Sequence, residues 1–164
     1  MQRGCRQPSD YGDYYAWGET STKTTYTRNN SKTYHKGSYN REIGGDASLD
    51  AARANWGGTW RLPTDAEFQE LVANCTWKWT TQGGQNGYKV TSKKNGNSIF
   101  LPAAGWRFDS SLHNAGWVGS YWSSSPGWGG RYVHGLDFHH YSSRPRTCWY
   151  SCRYCGQSVR PVSD

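Results

Sequence analysis

The chain has 164 residues, a formal net charge of +7 and only 34% apolar residues. That is room for one compact domain and too little for two comfortable ones. Ten Trp and twelve Tyr argue against intrinsic disorder, no apolar run approaches a membrane span, and the basic balance comes without a Lys/Arg block or a nucleic-acid-binding motif.

The opening MQRGCRQPSD has no apolar h-region, so no signal peptide is read in it. Tyr11 to Trp17 (YGDYYAW) is an aromatic, strand-like run. Gly18 to Gly45 is rich in Ser, Thr, Asn and Gly and reads as a long surface excursion. Asp46 to Asn55 predicts a helix, with Asp46 or Ser48 as N-cap and Gly57 as its stop. Trp56 to Leu62 is extended. Pro63 and Thr64 then open a second helix. Thr64-Asp-Ala-Glu67 is a capping box, in which hydroxyl and carboxylate each satisfy an orphan backbone N–H. Phe68, Leu71 and Val72 give that helix an apolar stripe for the core.

Trp77 and Trp79 alternate with polar residues, the pattern of a half-buried strand. Tyr88–Ser92 and Ser98–Leu101 flank Asn95-Gly96, a strong hairpin signal. Pro102 to Arg107 leaves the sheet. Ser120–Ser123 and Tyr132–Phe138 are further strands, and Gln157–Val162 closes the chain with Pro161 at a sheet edge. There is no internal repeat. These elements predict a single α+β domain over residues 1–164, with two short helices, short antiparallel sheets and long loops.

The five cysteines are Cys5, Cys75, Cys148, Cys152 and Cys155. An odd number excludes a complete disulfide framework. Cys75, after a helix, reads as a buried small apolar residue. Cys148-x3-Cys152-x2-Cys155 suggests zinc, but a structural zinc site needs a second ligand pair that the chain does not supply. The reading is therefore no metal, with these thiols incidental at the surface.

The least ordinary stretch is Gly127 to Cys155, GWGGRYVHGLDFHHYSSRPRTCWYSCRYC. It is crowded with Tyr, His, Arg, Cys, Ser and Gly and has no Lys, Glu, Gln, Met or Asn. Tyr, Trp, Ser, Gly and Arg are the residues that paratopes favour, for stiff contact area and adaptable hydrogen bonds. Leu136 and Phe138 alternate with Gly135 and Asp137, so the first pair is expected to pack inward while its neighbours face out. His139 to Cys155 is read as loop. The expected binding face comprises His134, Asp137, His139, His140, Tyr141, Arg144, Arg146, Trp149, Tyr150, Ser151 and Tyr154. Trp149, Tyr150 and Tyr154 would be its anchors, and the two arginines its charge and stacking groups.

Several motifs together resemble one family. They are Tyr11-Gly-Asp-Tyr-Tyr-Ala-Trp-Gly-Glu-Thr20, Ala54-Asn-Trp-Gly-Gly-Thr-Trp-Arg-Leu-Pro-Thr-Asp-Ala-Glu-Phe68, Asn97-Ser-Ile-Phe-Leu-Pro-Ala-Ala-Gly105, Tyr121-Trp-Ser-Ser-Ser125 and Gly156-Gln-Ser-Val-Arg-Pro-Val162. The combination resembles the major paralogous domain of Fibrobacter and Bacteroides proteins. That domain is similar to the C-type-lectin fold and, through Trp60-Arg-Leu-Pro-Thr64, to the formylglycine-generating enzyme fold. The unusual segment resembles the variable region of proteins diversified by retroelements, which replace adenines at the end of a target gene. Asn codons AAC and AAT rewritten this way yield Gly, Arg, Tyr, His, Asp, Ser, Cys, Thr, Pro, Val, Leu and Phe, but not Lys, Glu, Gln, Met or Trp. Only Trp128 and Trp149 depart from that set between Gly127 and Cys155.

The resemblance implies a hypervariable ligand-binding protein, displayed outside the cell on a bacterial surface or a phage virion. Its partner would be a protein or a glycan, held without a cofactor. The alternative is a non-diversified cell-surface adhesin or polysaccharide-binding domain. An enzyme is not expected. Asp137 is the only carboxylate from Gly127 to Cys155, and no nucleophile motif is present. The Glu-Pro-Asn, Gln-Pro-Asp and Trp-Asn-Asp signatures of calcium-dependent lectins are absent too, so the face is read as calcium-independent.

Overall fold

The computed structural model describes residues 7–34, 39–127, 129, 132–142 and 145–164, and of residues 148–151 only the backbone. Among these, two helices and ten strands form a mixed α+β arrangement with four small antiparallel sheets.

Helix α1 spans Ala51–Trp56 and α2 spans Asp65–Asn74. The first starts later than expected, because Asp50 rather than Asp46 or Ser48 is its N-cap. The Asp50 carboxylate accepts from Ala52 N and Arg53 N, and also from Gly45 N at 2.7 Å and Leu62 N at 2.9 Å. One buried carboxylate thus ties a helix start to two separate chain segments. Gly57 ends α1 at φ 67°, a left-handed value that favours glycine. The Thr64–Glu67 capping box opens α2 as read from the sequence.

Strands β1 (Trp60–Arg61) and β10 (Val162–Ser163) pair with each other alone. The closing strand is thus shorter than expected; Gln157 and Ser158 make only isolated bridges, to Tyr15 and Tyr121. Strands β2 (Cys75–Gln82), β3 (Gln85–Ser92) and β4 (Ser98–Pro102) form a meander. The Asn95-Gly96 turn joins the last two. Gly83 and Gly84, at φ 56° and 80°, make the two-residue turn between the first two. A Gly-Gly pair is the expected chemistry for such a turn. Strands β5 (Trp106–Phe108) and β6 (Ser111–His113) form a small hairpin.

The central sheet has the order β7 (Val118–Pro126), β8 (Tyr132–His139), β9 (Arg146–Cys152). Strand β7 is buried along nearly its whole length. Its successive residues enter different cores: Tyr121 packs with Phe68, Tyr88, Leu101 and Phe138, while Trp122 packs with Tyr15, Trp17, Ile43 and Val159. A strand buried on both faces loses the apolar–polar alternation of a half-exposed one.

Two sequence expectations fail for related reasons. Tyr11–Trp17 is not a strand; it makes one bridge at Tyr15 and fills the core with Tyr14, Tyr15, Ala16 and Trp17. The polar stretch after it is not only a surface excursion, since Tyr26, Thr33 and Ile43 are fully buried. The Tyr26 hydroxyl donates to Tyr14 O and the Thr33 hydroxyl to Trp17 O, so hydrogen bonds draw this polar segment inward.

Candidate ligand-binding site

The unusual segment forms β8, a turn and β9. Most of its described residues therefore sit in the central sheet rather than in a free loop. Residues 139–155 are not all loop, because Arg146–Cys152 pairs with β8.

Leu136 and Phe138 do pack inward, at 0% and 1% exposure. The other face of β8 does not face out along its whole length as expected. Gly135 is buried, and a Cβ there would press on Tyr121 O. Val133 is buried in the Trp17–Trp122 core. His134 does not share a face with Asp137. It lies on the side of Leu136 and Phe138, where its Nδ1 is 3.4 Å from the Asp65 carboxylate at the start of α2. Tyr154, read as an exposed anchor, is buried at 6% exposure, its ring edge-on to Tyr34 at 5.2 Å. Arg144 and the side chains of Trp149, Tyr150 and Ser151 lie outside the described residues. Arg146 is exposed, opposite Asp137 in the β8–β9 register.

Two surfaces remain. The first is an aromatic tip at the β8–β9 turn. Tyr141 is 84% exposed and stacks on Trp117, which is 51% exposed, with centroids 5.9 Å apart and planes at 14°. His140 packs between them and the scaffold, 4.9 Å from both Tyr141 and Trp79 and 5.6 Å from Trp117. The turn is held by His140 N donating to Trp117 O, Ser142 N donating to His139 O, and the Tyr88 hydroxyl donating to Ser142 O. His139, half-buried, ends β8 beside this tip.

The second is a cavity of about 310 Å³. Trp106 and Phe108 of β5, Ser120 of β7, Asp137 of β8, and Cys152, Tyr154, Cys155 and Gln157 line it. Asp137 is half-buried at this wall, and its Oδ1 is enclosed in the wall with no hydrogen-bond donor among the described residues. Ser120 is its directly opposed neighbour across the β7–β8 ladder.

The two thiols of the cavity have opposite character. A hydrogen bond with Cys155 is the main cause that lowers Cys152 to about 6, helped by Tyr154 and the Arg28 charge against the effect of burial. The same hydrogen bond, then burial, pushes Cys155 up. Cys155 is buried rather than at the surface, and Cys75 is half-buried rather than enclosed. No group of three or more His, Cys, Asp or Glu suited to a metal ion occurs among the described residues.

Reading the sequence missed Trp79, Trp106, Phe108, Trp117, Ser120 and Gln157. They come from four separate stretches that only the fold assembles, and the one motif that includes any of them, Gly156–Val162 with Gln157, does not mark a site role. No helix among the described residues is long and apolar enough to cross a membrane. No family model, curated protein or solved structure matches the chain.

Proposed function

We propose that this protein is a hypervariable ligand binder of C-type-lectin-like fold, diversified by a retroelement. It presents its C-terminal segment for non-covalent recognition of a protein or glycan target outside the cell, on a bacterial surface or a phage virion. The observation that carries this reading is the residue inventory of Gly127 to Cys155: apart from Trp128 and Trp149, every residue there is reachable from AAC or AAT by adenine replacement. The exposed Tyr141–Trp117 stack, at the turn of that segment, supports it as contact area of the kind recognition surfaces use.

The test is deep sequencing of the gene and its flank in the source population. Variation is expected at Asp137, His139, His140, Tyr141 and Arg146, with a nearby near-copy whose adenines mark the same codons. Val133, Leu136, Phe138 and Arg153 are expected to stay constant, because they fill the core. An invariant segment without a near-copy overturns the reading and leaves a non-diversified adhesin or polysaccharide-binding domain.

A further inference from the structure

The geometry points to the Asp137 cavity as a binding site for an organic cation with N–H donors on a short apolar stem, an alkylammonium or alkylguanidinium. This deepens the binding reading above by naming the chemistry of one ligand.

Three observations carry it. First, the half-buried Asp137 carboxylate lines the cavity, and its Oδ1, enclosed in the wall, has no donor among the described residues. A carboxylate partly removed from water without a partner is costly, and a cation bound in the cavity beside it offsets that charge. Arg146, its cross-strand neighbour, is exposed and makes no ion pair with it. Second, Trp106, Phe108 and Tyr154 supply aromatic faces and edges, which attract a cation and cover an apolar stem. Tyr154 already shows this chemistry in the adjoining cleft, where the Arg28 guanidinium lies 5.5 Å from its ring centroid. Third, no Lys, Arg or His lines the cavity among the described residues, although the chain as a whole carries a net charge of +7. Ser120 and Gln157 add polar lining at the same wall.

The volume, about 310 Å³, is at the lower end of the roughly 300–1,000 Å³ range of small-ligand sites. It suits one side-chain-sized ligand. The carboxylate favours a cation over a sugar: a neutral hydroxyl donates a hydrogen bond but leaves the charge uncompensated.

The experiment is calorimetric titration of the full chain with n-butylammonium and n-butylguanidinium chloride, with methyl glucoside as the neutral probe. A parallel arm uses short peptides carrying one Lys or one Arg. Saturable binding of a free cation is expected, weakened about 10- to 100-fold by Asp137→Asn, as loss of a charge-assisted hydrogen bond implies. Phe108→Ala, at the cavity rim, should weaken binding less. Thermal melts of both variants establish that they are folded. Tighter binding of the peptides than of the free cations assigns the source as a partner's basic side chain; equal binding assigns a free small molecule. Binding of methyl glucoside with no response to either cation overturns the proposal, as does cation binding unchanged in folded Asp137→Asn. Population sequencing is read separately. Cation binding by this clone, with an invariant segment, refutes diversification and keeps the cation site; variation without cation binding does the reverse.

Discussion

The Arg153 guanidinium lies 4.4 Å from the ring centroid of Trp17, fully buried, and its Nη2 donates to Tyr39 O at 2.9 Å. The end of the unusual segment is thereby locked to the N-terminal part of the chain. Burial lowers the guanidinium to about 10, and its Nε and Nη1 have no partner among the described residues.

That arrangement sets volume against charge. A buried cation–ring contact and a charged hydrogen bond are each worth about 2 kcal/mol. Desolvation and unpaired N–H groups cost a similar amount, so an apolar side chain of like length should serve nearly as well. Arg153→Met is expected to change stability by no more than about 1 kcal/mol, whereas Arg153→Ala leaves a void and costs about 2–4 kcal/mol. Urea unfolding of both variants decides it; equal losses would mean that charge, not volume, holds this joint.

Asp50 is expected to be the most sensitive carboxylate of the fold. Four backbone N–H groups from three segments converge on it. Asp50→Ala leaves all four donors without their acceptor and should cost at least about 3 kcal/mol, by the usual worth of charged hydrogen bonds. Unfolding that matches the parent protein would show that α1 does not depend on this cap.

Acid should loosen α2 in a defined window. Arg61 grips Glu67 through two contacts of 2.8 Å, and with Thr64 it holds the carboxyl down at about 2 from its ordinary 4.5. A depressed folded-state value means stabilisation that is complete above about 4.5 and lost as pH falls toward about 2. Glu67 is partly exposed, so solvent screening leaves on the order of 1 kcal/mol. The difference between parent and Glu67→Gln in urea melts should shrink across that window.

Cys152 should alkylate as a thiolate well below the pH that Cys75 requires. The first is lowered to about 6, mainly by its hydrogen bond with Cys155, and the second is raised above 9.0 by burial. Peptide mapping after timed iodoacetamide treatment should show Cys152 modification rising near pH 6. In Cys155→Ala that rise should move upward, because the hydrogen bond is gone. An unmoved profile would assign the lowering to another group.

The binding tip and the core beneath it should separate cleanly. Tyr141→Ala, at an exposed position, should leave stability within about 0.5 kcal/mol while removing half of the aromatic stack. Gly119→Ala should do harm without touching the tip, since a Cβ at Gly119 would overlap the Phe138 ring. Overpacking of this kind costs about 1–3 kcal/mol. Thermal melts compare the two; a destabilised Tyr141→Ala would make the tip structural.

Local chemistry was the legible part of this chain. The capping box at Thr64 and Glu67, the Gly57 stop and the Asn95-Gly96 hairpin each depend on residues a few positions apart, and each stands where the sequence put it. The Gly83-Gly84 turn carries an equally local signal. The α+β class with two helices followed from the same short-range rules.

Tertiary structure alone decided which side of β8 faces what. Alternation locates Leu136 and Phe138 inward, but it assumes one wet face, and here cores cover both. A bulge between Val133 and Gly135 further shifts the strand against its partner. His134 therefore faces the start of α2, and Tyr154, beyond β9, is buried in the cavity wall instead of standing exposed. The Asp137 cavity is less legible still. Its walls come from residues 106 to 157 on four strands and a turn, and no spacing in the chain encodes their meeting. A sequence states the period of each element; which faces are covered, and which polar atom is left without a partner, depends on everything packed around it.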